Sequence, residues 1–121
     1  ANLDGANLDG ANLDLPVASR EEAIKNLDVV GEIILDNQAI LEMSHWHDEK
    51  SDWKNKTCIE EAGCGTTHCL AGWLQICAPN PKVKDLEPNV AGIIQAPIAS
   101  HMFYESKPRV LKWLKDREYA K

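Results

Sequence analysis

The sequence lacks the features that mark a membrane or secreted protein. No apolar run approaches the ~20 residues that a membrane span needs. No basic segment followed by an apolar one opens the chain, so no signal peptide is visible. The mean hydropathy of −0.36 is ordinary for a soluble globular protein. We therefore expect a soluble, cytoplasmic protein without a membrane partner.

Basic side chains are scarce in the first half of the chain. Residues 1–61 carry fourteen acidic and five basic side chains, whereas residues 107–121 carry two acidic and six basic ones. Contacts to phosphates need clustered Lys and Arg, so the acidic half argues against nucleic-acid binding. We interpret the basic tail as a solvated helix face, with a phosphate-binding patch as the alternative.

The cysteines lack the spacing of a known framework. There are four of them, and none forms a Cys-x-x-Cys pair. A small secreted scaffold would show a dense, regular cysteine pattern together with a signal peptide. This pattern favours reduced cysteines in the cytosol.

A short repeat opens the chain. Residues 1–15 contain three tandem copies of Ala-Asn-Leu-Asp followed by Gly or Leu, and their period of five matches neither a helix nor a strand. The repeat resembles the pentapeptide-repeat family, which implies a right-handed quadrilateral β-helix. The expected inward-facing core is Leu3, Leu8 and Leu13 with Ala6 and Ala11. A flexible linker or an engineered cap is the alternative.

Counting the repeat units limits what this resemblance implies. Four pentapeptides complete one coil in that family, and only three are present. A partial coil cannot bury its own face, because repeat units need stacked neighbours. We expect further repeats upstream or docking of this segment onto another surface. The DNA mimicry of some family members needs several coils and is not inferred here.

The rest of the chain has helical periodicity. Ser19-Arg20-Glu21-Glu22 is a capping box that opens a helix reaching towards Leu41, and residues 43–63 are predicted to be a long loop. Thr66 or Thr67 is predicted to cap a buried helix that ends near Ala78, and Gly72 within this helix is expected to let a neighbouring backbone approach closely. Pro88 and Ser106 begin two further helices. The predicted fold class is mainly α: a bundle of four or five short helices in residues 16–121, preceded by the partial β-helix coil in residues 1–15.

A group of Cys and His residues between positions 45 and 69 admits three interpretations. The first is a zinc site, because these side chains supply soft nitrogen and sulfur donors for a tetrahedral ion. The candidate ligands are His45, His47, Cys64, His68 and Cys69, with Cys58 as a further donor. Their spacings match no zinc motif, so no cofactor is the first expectation and zinc is the alternative.

The second interpretation is a nucleophilic cysteine. Cys64 or Cys69 near a helix N-terminus would have a stabilised thiolate, and His45, His47 or His68 could act as its base. No motif marks an orienting Asp or Asn for such a site. A cysteine-dependent enzyme is therefore a further alternative.

The third interpretation is structural. Cys69 and Cys77 would be small buried groups, and His68 a polar residue at a helix start. A Cys58–Cys64 or Cys64–Cys69 disulfide is a variant of this interpretation. It is the one that the residues favour.

A second resemblance covers most of residues 25–118. Trp46-His47 and the later Cys-Gly-Thr segment are similar to an uncharacterised domain of phage and bacterial proteins, with the hallmark Cys-Gly-Thr-x-x-Cys-x-Ala-Gly-Trp. The matching residues are Cys64, Gly65, Thr66, Cys69, Ala71, Gly72 and Trp73. The resemblance implies a phage-encoded or virion-associated setting and no specific activity.

Together these features favour a structural or interaction role over a named reaction. We expect a non-enzymatic cap, adaptor or assembly module of a pentapeptide-repeat protein, with a protein partner or self-association. Zinc binding and cysteine-dependent catalysis are the alternatives.

Overall fold

A long helix follows the predicted capping box. The computed structural model describes residues 15–121, so the repeat in residues 1–14 lies outside the described residues. Helix α1 spans Arg20–Asp36, and its first turn is closed by reciprocal hydrogen bonds between Ser19 and Glu22. The capping-box prediction is confirmed. The helix ends earlier than expected, because the chain turns at Asn37 into a 3-10 helix.

Four further α-helices are shorter. Helix α2 spans Cys58–Ala62, α3 Leu70–Ile76, α4 Pro88–Gln95 and α5 Lys107–Lys115. Short 3-10 helices lie between or after them, at Gln38–Ile40, Trp53–Asn55, Pro81–Asp85, Pro97–Met102 and Glu118–Ala120. Prolines occupy the first turns of α4 and α5, where a missing N–H costs no hydrogen bond.

Helix α3 is the centre of the core. All seven of its residues are buried, and it packs against α1, α2 and α4. The Trp73 indole N–H donates to the carbonyl of Ile40 at 3.0 Å, so this fully buried ring has its polar atom satisfied. The sequence prediction of a central buried helix is confirmed. Its N-cap is Cys69, whereas Thr66 or Thr67 was expected.

The predicted fold class is wrong in its β component. The part of the chain from residue 15 onward forms no strand, and no β-helix coil is seen there. Only two isolated bridges occur, both at His68. The expected core positions Leu3, Ala6, Leu8, Ala11 and Leu13 lie outside the described residues.

The predicted loop at residues 43–63 contains a helix. Thr57 and Glu60 form a second capping box, which begins α2. Its five residues do not complete two turns, which is too short for apolar periodicity to mark it. Over residues 15–121, none of the helices has the length and apolar character to cross a membrane.

Candidate functional site

His68 lies at the centre of a buried polar cluster. We use this name for Glu61, His68, His47 and Gln75, with the hydroxyls of Ser51 and Thr66. Glu61, His68 and Gln75 are fully buried. Buried ionisable groups need partners, because desolvation of an unpaired charge is costly. The arrangement of these partners decides what the cluster can do.

Backbone hydrogen bonds place His68 between two segments. Its N–H donates to the Ile40 carbonyl at 3.1 Å, and its carbonyl accepts from the Glu42 N–H at 3.1 Å. The next residue, Cys69, donates its N–H to the Trp46 carbonyl at 3.2 Å. Residues 40–47 are thereby fixed across the start of α3.

Gly72 permits this crossing. A Cβ at this position would collide with the Trp46 carbonyl and lie 3.2 Å from the His47 ring. The sequence prediction that Gly72 allows a neighbouring backbone to approach closely is confirmed. The glycine therefore helps to set the position of His47.

Glu61 uses one carboxylate oxygen for all its contacts. Its Oε2 accepts hydrogen bonds from Ser51, Thr66 and His68, the last at 2.6 Å. Its Oε1 is buried and has no hydrogen-bond partner. Burial raises the pKa of Glu61, but the three donors together outweigh it and leave that pKa below its usual value. The carboxylate is the form that these donors favour.

His47 joins His68 to Gln75. Its Nδ1 lies 2.8 Å from His68 Nδ1, and its Nε2 lies 2.7 Å from Gln75 Oε1. The Gln75 amide donates to the carbonyls of Val83 and Leu86, which leaves its oxygen facing His47. The His47 Nε2 therefore carries a proton and donates it to Gln75.

The number of protons in the hydrogen bonds from Gln75 to Glu61 gives the net charge of the polar cluster. The contacts Gln75–His47, His47–His68 and His68–Glu61 need one proton each. The two neutral imidazoles supply two, so a third proton is shared by His68 and Glu61. The His68–Glu61 pair, with the proton it shares, therefore carries no net charge.

The pKa shifts of the two histidines have a common origin. Burial lowers the pKa of His47 to about 4, with the Gln75 hydrogen bond opposing and the neighbouring His68 adding to the shift. Burial also lowers the pKa of His68, and the hydrogen bond and charge of Glu61 oppose this effect. His47 stacks on the Trp53 ring, with centroids 3.9 Å apart, so its ring face is covered.

Every ring nitrogen of His47 and His68 is thus engaged inside the protein. A general base needs a free nitrogen within reach of a substrate proton. In this arrangement the cluster has none to offer. The hydrogen bonds of the polar cluster hold residues 45–51 and α2 against the start of α3.

The five predicted zinc ligands are not gathered around one point. His47 and His68 bond to each other, and His45 Nε2 instead lies 2.9 Å from the Thr67 hydroxyl. Cys69 is buried at the N-cap of α3, and Cys64 is exposed. Across residues 15–121, no three His, Cys, Asp or Glu side chains are grouped as a metal site would require.

The structure pairs Cys58 with Cys77 in a disulfide. Their Cα atoms are 4.7 Å apart, and the bond ties the start of α2 to the end of α3. This pairing differs from the expected reduced state of the cysteines and from the alternative Cys58–Cys64 and Cys64–Cys69 disulfides. The two residues are far apart in sequence and share no motif, so no sequence signal identified them.

The two remaining cysteines differ in environment. Burial raises the pKa of the Cys69 thiol to about 11, which is opposite to what a nucleophile needs. Its sulfur accepts the Gly72 N–H at 3.3 Å. Cys64 Sγ lies 3.0 Å from Lys56 Nζ, and among the described residues no histidine nitrogen bonds to either sulfur.

Gly65, Thr66, Ala71 and Trp73 also lie around the start of α3, beside the polar cluster. Gly65 has a positive φ of 77°, and Thr66 donates to Glu61. Ala71 and Trp73 are buried in α3. The sequence motif predicts this segment but not Glu61, Ser51, Gln75 and Trp53, which complete its contacts. The Thr57–Glu60 capping box could have indicated the helix that carries Glu61.

An open groove lies beside this cluster. It has a volume of about 220 Å³ and is lined by residues 43–46, Cys69, Phe103 and Tyr104; we call it the aromatic groove. The rings of Trp46 and Tyr104 stand almost perpendicular, at 83°, with centroids 5.6 Å apart. Tyr104 is 78% exposed, whereas Phe103 and Cys69 form a buried floor.

Comparison with protein-family models, with curated proteins and with solved structures found no match to this chain.

Proposed function

We propose that this chain is a non-enzymatic interaction module that binds another protein through the aromatic groove. One contrast carries the proposal: the ionisable side chains of the polar cluster bond to one another, whereas Tyr104, an aromatic side chain of the groove, is 78% exposed. The side chains of the polar cluster hold the fold together, whereas Tyr104 is left exposed beside the half-buried Trp46 ring.

The groove has the composition of a binding surface. Trp and Tyr dominate the binding energy of protein interfaces, because they offer large contact areas and a polar atom at low cost in side-chain entropy. Tyr104 is among the few large apolar side chains that are strongly exposed in the described chain. The Trp46 ring contacts it edge to face, with centroids 5.6 Å apart.

The groove is also held in shape before any partner arrives. The Trp46 carbonyl accepts from Cys69, and the His45 ring is held by Thr67. A Cβ on Gly92 would lie 2.8 Å from the Phe103 ring, which shows how tightly the floor packs. Preorganised surfaces lose less conformational entropy on binding.

Charge favours a basic partner. The carboxylate of Glu42 accepts from the Ser44 N–H at the wall of the groove, and exposed Glu105 follows Tyr104. The groove lining contains no Lys or Arg. A partner whose contact surface carries positive charge complements this rim. Among residues 15–121, no arrangement favours zinc binding or cysteine-dependent catalysis, so neither is proposed.

In-cell photo-crosslinking tests this function. A benzophenone amino acid replaces Tyr104 in one variant and exposed Lys115, on α5, in a control variant. We expect a discrete heterologous protein adduct from position 104 and none from position 115. Equal adducts from both positions, no adduct, or only a dimer of this chain would contradict the proposal.

A further inference from the structure

We infer that Lys56 and Cys64 form a site of oxidative modification, at which a peroxide converts their contact into a covalent nitrogen–sulfur bond. Cys64 Sγ lies 3.0 Å from Lys56 Nζ, so an amine and a thiol already touch. Cys64 is exposed, whereas the other free cysteine, Cys69, is buried. A small oxidant therefore reaches one of the two free thiols, and that thiol has an amine beside it. The inference is independent of the aromatic groove.

The two residues stand at opposite ends of α2. Lys56 lies immediately before the N-cap of this helix, and Cys64 lies immediately after its C-cap. The Lys56 N–H donates to the Trp53 carbonyl at 3.2 Å, and the Cys64 N–H donates to the Glu61 carbonyl at 3.1 Å. The backbone is thus fixed at both positions, which keeps the two side chains within reach of each other.

The side chains themselves are also held. The Cys64 thiol donates to the Glu60 carbonyl at 3.0 Å, and its sulfur accepts from the Lys56 ammonium. This contact with Cys64 raises the pKa of Lys56 above its usual value, so the amine keeps its proton while the sulfur is reduced. Conversion of the sulfur to a neutral sulfenic acid weakens the main cause of the shift. The amine then loses its proton to solvent more readily.

The reaction has two steps. Hydrogen peroxide first transfers an oxygen atom to Cys64: the O–O bond breaks, an S–O bond forms, the sulfur loses two electrons and water leaves. The deprotonated Lys56 amine then attacks this sulfur. An S–N bond forms, the S–O bond breaks, and the hydroxide departs as water with a proton from the amine. Sulfenic acids condense with backbone nitrogen in the same way, and thiol reductants reverse such steps.

The new bond would tie the two ends of α2 together. This helix has five residues, and its one buried side chain is Glu61 of the polar cluster. A covalent link across so short a helix restricts its local opening, because fewer open conformations remain accessible. Peroxide would therefore stabilise the helix that supplies Glu61 to His68.

Mass spectrometry of the intact chain, treated with a small excess of hydrogen peroxide at mildly alkaline pH, tests the link. We expect a loss of about 2 Da that dithiothreitol reverses. Trypsin, used without reductant, should no longer cleave after Lys56, so residues 55–82 should appear as one peptide. This mapping separates the link from a Cys64–Cys69 disulfide, which has the same mass but leaves cleavage after Lys56 intact.

Two variants identify the amine. Lys56→Arg keeps the positive charge, and we expect it to stop at a sulfenic acid, with a gain of about 16 Da that dimedone captures. Lys54→Arg, at an exposed side chain two positions earlier, should form the link as the parent chain does. Amides of α2 should exchange hydrogen severalfold more slowly in the oxidised parent than in the reduced one, and treated Lys56→Arg should show no slowing. Circular dichroism checks that each variant keeps its fold.

Three results would overturn the inference. The first is normal tryptic cleavage after Lys56 in the oxidised parent, whether the sulfur ends as a sulfinic acid, as a Cys64–Cys69 disulfide or in a dimer of two chains. The second is the same loss of mass in Lys56→Arg. The third is a link that leaves the exchange of the α2 amides unchanged.

Discussion

Removing the Cys58–Cys77 disulfide should destabilise the protein strongly. The bond closes a loop with a sequence separation of 19 residues. The chain-entropy relation for a loop of this length gives about 3 kcal/mol at 25 °C. Helix α2 has only five residues and one buried side chain, Glu61, so little apolar packing would compensate. We expect Cys58→Ser with Cys77→Ser to lose about 3 kcal/mol of the free energy of unfolding.

Urea unfolding, followed by circular dichroism at pH 7.5, measures this change. The matched control is Cys64→Ser, since Cys64 is exposed and lies outside the disulfide. Surface substitutions of this kind are usually within about 0.5 kcal/mol of the parent. A thiol titration of the denatured, unreduced protein should give two free thiols per chain, from Cys64 and Cys69.

Two results would refute the reasoning. Four thiols per chain without reductant would mean that the bond does not form. A double variant as stable as Cys64→Ser, despite two titrated thiols in the parent chain, would mean that the loop closure contributes nothing. Reduction of the wild-type protein should reproduce the double variant.

Further predictions concern the polar cluster and the glycines. Gly72→Ala should destabilise the protein by about 2 kcal/mol or more in urea unfolding, because its Cβ meets the Trp46 backbone. Gly31→Ala, with 3.5 Å to its nearest neighbour, should instead stabilise α1 by up to about 1 kcal/mol; the same sign at both positions would contradict this packing. Glu61→Gln should cost about 3 kcal/mol, since it leaves the His68 proton without a carboxylate and buries unpaired N–H groups; a loss below about 1 kcal/mol would argue against the His68–Glu61 hydrogen bond. His47 should titrate near pH 4 by ring NMR with its Nε2 protonated when neutral. Because this pKa lies below the unfolded value, the His47 contribution should be fully present above pH ~6.5 and lose about 3 kcal/mol as the pH falls to ~4, and a normal pKa would refute its burial.

The sequence predicted those features that depend on local patterns. Ser19 and Glu22 marked the start of α1 because a capping box requires only four consecutive residues. The apolar circumference of residues 70–77 identified the buried helix, and Pro88 marked the start of α4. Gly72 within a run of large apolar residues indicated a close backbone approach.

The remaining features depend on contacts between distant residues. Cys77 bonds to Cys58 across α3, and Gln75 meets His47 only because residues 40–47 cross that helix. Short α2 has too few turns for a periodic signal, and its Glu61 lies seven residues from His68 without any motif between them. The grouping of His and Cys suggested ligands for a metal, yet the fold turns two of the histidines towards each other.

The aromatic groove also depends on contacts between residues that are distant in the sequence. Trp46 and Tyr104 are 58 positions apart in the sequence, and their rings meet because residues 41–47 and the turn after Pro97–Met102 lie side by side. Composition alone gave no reason to pair them. The fold alone brings the exposed Tyr104 ring into contact with the half-buried Trp46 ring.

The central claim is that this groove is where the chain binds another protein. Its most direct test is in-cell crosslinking from both walls, with the photoreactive residue at Ser44 in one variant and at Tyr104 in another. We expect the same heterologous partner from both positions and no such adduct from Lys115. Different partners from the two walls, or an equal yield from Lys115, would contradict it.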